Sequence, residues 1–287
     1  MIPGAFDYHR PSSIDEAVKL LADLGDEARV LAGGHSLIPM MKLRMALPEN
    51  LIDLQDIAEL KGISEAGGTI TIGAMTRQAE IIGSALLAKH CPILRETALQ
   101  IADPQVRNLG TIGGNVANGD PGNDMPALMQ ALDAIYVIAG PGGSREVAAR
   151  EFYEAAFFTA LADGEVLTAI RFAAPPAGHG YAYEKQKRKI GDYATAAAAV
   201  ILTMSGGRCE GASIALTNVG DTPLYAEAAG QALAGTDLGT DAVKAAMDAA
   251  MAITRPAADG RGPVDFRTSV TGVMVRNAIE RAAARAA

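Results

Sequence analysis

Arg29-Val30-Leu31-Ala32-Gly33-Gly34-His35-Ser36 carries an apolar run straight into a glycine pair and a hydroxyl. That order predicts a short strand, a tight turn and a helix start, with Ser36 capping a helix through Met45 and Pro39 tolerated in its first turn. Glycine lets successive backbone amides converge and lets a ligand approach where a Cβ would clash. A helix start adds partial positive charge at the same point. A second pair stands in Thr111-Ile112-Gly113-Gly114-Asn115, again beside hydroxyl and amide side chains. Taken singly, each pair is a tight turn. Two of them facing one another would make a cradle for a pyrophosphate. Neither fits G-x-G-x-x-G or the P-loop pattern, so the common nucleotide fingerprints are absent.

Upstream, Ser13-Ile14-Asp15-Glu16 is a capping box ahead of Val18, Leu20, Leu21, Leu24 and a closing Gly25, which predicts an amphipathic helix. Downstream, residues 50–54 read as a strand, and 63–66 with 69–74 as a hairpin about Gly67-Gly68. Helical spacing runs from Arg77 to about Ile101. A loop rich in Gly, Asn, Asp and Pro is expected from Asp103 to Asn123, long enough to be functional. A helix over 124–132, a hairpin of 135–139 with 145–149, and a strand over 165–172 follow, stopping at Pro175-Pro176. Beyond that boundary come strand-like runs at 180–186, 195–204 and 212–218, then helical segments at 226–233, 241–253 and 266–285. Strands and helices in separate runs indicate an α+β unit.

The chain has 287 residues, 49% hydrophobic and 20% charged, so it can bury a full core and is not disordered. Its net charge of −8 argues against nucleic acid or an anionic membrane as the main partner. An anionic ligand must then be held by backbone amides and helix ends. Cys91 and Cys209 are the only cysteines, too few for an iron–sulfur cluster or a disulfide framework. No signal peptide or spanning segment is visible, which points to a soluble cytoplasmic protein.

Three stretches, AGGHSLIPMMKLRMALP from Ala32, IADPQVRNLGTIGGNVANGDPGNDMPALMQAL from Ile101 and YEKQKRKIGDYATAAAAV from Tyr183, resemble the FAD-binding subunits of the molybdenum hydroxylases, the xanthine dehydrogenase group. Within that group they look most like the medium subunits of its carbon-monoxide-oxidising branch. The resemblance runs the full length. It implies a vanillyl-alcohol-oxidase-type α+β fold: an FAD-binding domain over residues 1–177, with subdomains of about 1–56 and 57–177, and a C-terminal domain over 178–287 with a three-stranded antiparallel sheet and helices. It also implies that Ala32, Gly33, Gly34, His35 and Ser36, with Thr111, Ile112, Gly113, Gly114 and Asn115, line the pyrophosphate of a noncovalent FAD. Asp124 matches an acid at the adenosine half, Ile101 and Leu167 match apolar contacts, and Lys185 matches a lysine beside the flavin ring. The implied partners are an iron–sulfur small subunit with 2Fe-2S clusters and a large subunit with molybdopterin-bound molybdenum, joined by copper in the carbon monoxide enzymes. The assembly would be a dimer of heterotrimers passing electrons to an acceptor such as a quinone, in the cytoplasm or against the inner face of the membrane.

Several residues keep two readings. His35 is a phosphate donor or a structural loop histidine. Asp124 is a ribose ligand or the N-cap of the next helix. The basic run Lys185, Lys187, Arg188 and Lys189 is a solvated face, a docking patch for an acidic partner or a charge beside reduced flavin. Tyr193 lies against the isoalloxazine or fills the domain interface. His90-Cys91 reads as core packing, and Cys209 as a strand-edge thiol without metal spacing. No Ser-His-Asp or Cys-His nucleophile is present. The remaining functional readings are an electron-transfer subunit, a self-contained flavin oxidoreductase and a nucleotide-binding module.

Overall fold

The computed structural model describes residues 2–287; Met1, which opens the expected first domain, lies outside the described residues. The first layer is a small parallel sheet of β1 (Asp7–His9), β2 (Ala28–Leu31) and β3 (Asn50–Asp53), with β3 central. α1 (Ile14–Leu24) covers it, burying Ala17, Val18 and Leu21 against Ala28 and Ile52. Ser13 caps α1, its Oγ accepting from Glu16 N at 3.2 Å, while the Glu16 carboxylate accepts from Ser12 N at 2.7 Å. The expected capping box is thus closed one residue early. α2 (Leu37–Lys42) is shorter than expected, and Ser36 makes no side-chain cap to it.

The second layer is an antiparallel five-stranded sheet, ordered β4 (Ile63–Ala66), β5 (Thr69–Gly73), β10 (Val166–Ala173), β6 (Ile135–Gly140) and β7 (Gly143–Ala148). The helical stretch after Arg77 is three helices, α3 (Gln78–Gly83), α4 (Ala85–His90) and α5 (Ile93–Gln100). Ser84 restarts the chain as the cap of α4, and Pro92 forces Cys91 out of helical geometry (φ −150°, ψ 65°). The expected loop of residues 103–123 holds two helices, α6 (Pro104–Leu109) and α7 (Ile112–Ala117), each started by a cap, Asp103 and Thr111. Its glycines read as breakers, but two caps and a proline at the first helical position outweigh them. α8 (Asp124–Ala131) follows, and β8 (Tyr153–Ala155) pairs with β9 (Phe158–Thr159) in a small ribbon that hydropathy alone does not reveal.

The third layer is an antiparallel sheet ordered β11 (Gly180–Gln186), β12 (Ala196–Ser205), β13 (Arg208–Thr217) and β14 (Leu224–Tyr225), four strands rather than three because the last contributes two residues. α9 (Glu227–Leu233), α10 (Thr240–Ala252) and α11 (Val264–Ala283) cover one face, while α5 and α8 lie on the other. β12 is buried on both faces: Ala197, Ala199 and Ile201 enter the core shared with α5 and α8, and Ala196, Ala198, Val200 and Leu202 enter the core under α11. Alanine methyls let helices approach from both sides. Cys91 belongs to the first of these cores and Cys209 to the second; burial pushes the Cys91 thiol up to about 12, which makes it inert.

Candidate functional site

The turn after β2 and the turn between α6 and α7 are pressed together. A Cβ on Gly33 would lie 2.4 Å from Leu109 O and 2.7 Å from Gly110 Cα, and one on Gly114 would sit 3.4 Å from Ala32 Cβ. A Cβ on Gly113 would lie 2.6 Å from Ala74 O, at the end of β5. The two glycine pairs therefore do face one another. Gly33 and Gly113 make room for neighbouring backbone, whereas a Cβ on Gly34 or Gly114 would meet the side chains of Ile38 or of Thr111 and Ala32.

The two turns also differ in what they offer. In the second, Ile112 N donates to Thr76 O (2.9 Å), Gly113 N to Ala74 O (2.8 Å), Gly114 N to Thr111 Oγ1 (3.0 Å) and Asn115 N to Thr111 O (3.1 Å). Those amides are spent inside the fold. In the first, the amides of Gly33, Gly34, His35 and Ser36 have no acceptor among the described residues, and Gly34 has φ +74°. The converging amides expected of both turns are found on one. They give an accessible, uncharged nest of the kind that holds a phosphate oxygen in an acidic protein. His35 is exposed beside it. Asn115 turns the other way, its Oδ1 accepting from Met125 N at 3.2 Å and its carbonyl from Asn123 Nδ2 at 2.7 Å. It ties the second turn to the start of α8.

Asp124 is the first residue of α8, not its cap, and its carboxylate is fully engaged. Lys185 Nζ donates to Oδ2 at 2.8 Å, with the two side chains 2% and 5% exposed. Tyr183 OH donates to Oδ1 at 2.6 Å, and Thr217 Oγ1 lies 3.3 Å from the same phenol oxygen. Burial, then the Asp124 charge, holds the Tyr183 phenol well above its usual range. The helix start favours the carboxylate, and the lysine satisfies it. Asp124, which the resemblance matched to the adenosine half, and Lys185, which it matched to the flavin ring, are thus in direct contact with one another.

The basic run does not form one solvated face. Lys185 is buried, Lys187 is half-buried, and Arg188 and Lys189 are exposed, with Arg188 on Asp192 at 2.8 Å. Tyr193 stays 43% exposed while its ring lies against Gly122, where a Cβ would come within 2.7 Å of Cδ1. Arg261 stands 5.7 Å from that ring, so Tyr193 touches both halves of the chain. Ile101 and Leu167 reach the same core from the ends of α5 and β10, 8% and 5% exposed. Tyr183, Thr217 and Gln100 are polar partners the sequence reading missed. The signal for Tyr183 was present: it shares a strand face with Lys185 at a spacing of two.

Two families match this chain. One, described as the FAD-binding domain in molybdopterin dehydrogenase, matches residues 4–175; the other, the CO dehydrogenase flavoprotein C-terminal domain, matches residues 181–282. The carbon monoxide dehydrogenase medium chain of Afipia carboxidovorans is 65% identical, covering 100% of this chain and 99% of its own. The corresponding chain of Hydrogenophaga pseudoflava is 51% identical over the full length of both. A chain in the crystal structure of a Cu,Mo-CO dehydrogenase, cyanide-inactivated, superposes with a TM-score of 0.99 at 65% identity, covering 100% of each.

Proposed function

Because the chain belongs to the FAD-binding family of the molybdopterin dehydrogenases, we propose that it is the flavin-carrying, electron-transferring subunit of a carbon monoxide dehydrogenase. The observation that carries this reading is the turn of Ala32 to Ser36, whose free amides and glycine backbone suit a pyrophosphate in a chain of net charge −8. That turn would hold the pyrophosphate with Thr111 to Asn115 closing against it. Asp124, Lys185 and Tyr193 would stand at one further end of the cofactor, the flavin ring, with Ile101 and Leu167 supplying apolar backing. Bound FAD supplies a centre that takes electrons singly and releases them in pairs.

The likeness to carbon monoxide dehydrogenase medium chains supports carbon monoxide as the substrate of the assembly. In that reaction carbon monoxide and water give carbon dioxide, two protons and two electrons. This chain's part is the acceptor end. Its two cysteines lie in separate cores, so cluster ligands must come from elsewhere. A small subunit with 2Fe-2S clusters and a large subunit with molybdopterin, molybdenum and copper are the proposed sources, in a dimer of heterotrimers that reduces a quinone-type acceptor. Met40, Leu43, Met45 and Leu47, on α2 and the segment after it, are exposed and offer an apolar surface for such docking. No helix among the described residues is long and apolar enough to cross a membrane.

The test is anaerobic. The isolated chain loaded with FAD should keep its visible absorbance under carbon monoxide, and should bleach when the iron–sulfur and molybdenum subunits are added. Bleaching without partners would instead establish a self-contained oxidoreductase.

A further inference from the structure

Three cations from two other elements crowd the C-terminus of α5. Lys185 Nζ donates to Gln100 O at 3.3 Å, Lys187 Nζ to Gln100 Oε1 at 2.7 Å, and Arg107 to Ile101 O at 2.7 Å and Ala102 O at 3.4 Å. A helix C-terminus carries roughly half an elementary negative charge, which one cation answers. Asp124 answers Lys185. Among the described residues no carboxylate lies within ion-pair distance of Lys187 or Arg107, and both are held by neutral oxygens alone. In a chain of net charge −8 this is a local surplus of positive charge, half-buried and without a counter-ion.

The charged groups facing Lys187, which lies just past the end of β11, are Lys185 on β11, Asp124 on α8 and Arg107 on α6. Burial and then the Lys185 charge lower its ammonium below the ordinary lysine value, with Arg107 adding to the effect and Asp124 opposing it. An anion placed beside Lys187 would relieve that strain. The Lys185–Asp124 pair, by contrast, is neutral as a unit and presents little net field beyond its own length.

We propose that Lys187, backed by Arg107, and not Lys185, supplies the uncompensated positive charge that favours the negative charge the flavin gains on reduction. The inference rests on the reading that Lys185 borders the flavin ring. Removing a half-buried side chain held by one amide oxygen leaves the fold intact, so Lys187→Met is a usable variant.

The experiment measures the midpoint potential of FAD in the reconstituted complex by spectroelectrochemistry, with FAD content read from absorbance. Lys187→Met should shift the couple to lower potential, weakening binding of reduced relative to oxidised FAD by about tenfold or more. Lys187→Arg should restore it, which a packing role alone would not predict. The double variant Lys185→Met/Asp124→Asn, which removes the neutral pair without stranding the Asp124 charge, serves as the reference. An unchanged potential in Lys187→Met with a lowered one in the double variant overturns the proposal and leaves the reading of the ring's place standing. Unchanged potentials in both overturn the proposal and that reading together.

Discussion

At Gly33 the space left by the missing side chain is filled by another part of the same chain. A Cβ there would press on Leu109 O and Gly110 Cα, both backbone atoms that cannot swing aside. Gly33→Ala should cost about 1–3 kcal/mol by overpacking and drive the two glycine turns apart. Purified protein should keep its far-UV dichroism but carry substoichiometric FAD by absorbance. Gly142→Ala, where a Cβ meets nothing within 4 Å, should match the parent in both. Full FAD in Gly33→Ala would show that the turns need not touch. The glycine pairs and their flanking residues were legible in the sequence, because a strand running into Gly-Gly has few structural meanings. What they make room for was not, since Leu109 and Ala74 are brought there by the tertiary fold. The same limit hid the Asp124–Lys185 pair, whose members lie on separate elements of different layers.

Among the elements, α7 shows how a cap can override composition. Its six residues, Ile-Gly-Gly-Asn-Val-Ala, include two glycines, and a helix that short does not persist without tertiary support. Thr111 provides part of that support by accepting from Gly114 N at 3.0 Å, and it is itself 4% exposed. Thr111→Ala should cost about 1 kcal/mol and Thr111→Ser much less, measured as the midpoint of denaturant unfolding. Equal losses in the two would mean that methyl packing, not the cap, holds α7. Elements with strong periodicity were read correctly in kind, among them α1, the hairpins and the strands after Pro176. The short helices of the expected loop were missed because caps occupy one residue each and leave no periodic trace. β14 was missed for the same reason, being only two residues long.

Across the whole molecule, the sheet of β11 to β14 belongs to both halves of the chain. Its even-numbered β12 side chains pack under α11 and its odd-numbered ones against the core of α5 and α8. Ion pairs reinforce the join: Arg281 and Arg285 reach Glu96 at 3.2 and 2.8 Å. Calorimetry should therefore show one cooperative unfolding transition, with no separate one for each domain. Residues 1–177 expressed alone should bind an apolar dye strongly, because α5 and α8 would lose their cover. Two resolved transitions, or a fragment that stays dye-free and binds FAD, would contradict a shared interior.

That shared wall has a consequence for heredity. The matched families divide the chain between residues 175 and 181, yet the interior crosses that line. A recombinant that joins the first module of one relative to the second module of another splits a set of side chains that fit as one. Compatible crossovers would have to carry Ala197, Ala199, Ile201 and Ala215 along with the helices they touch. Lineages in this family should accordingly trade whole chains far more readily than halves.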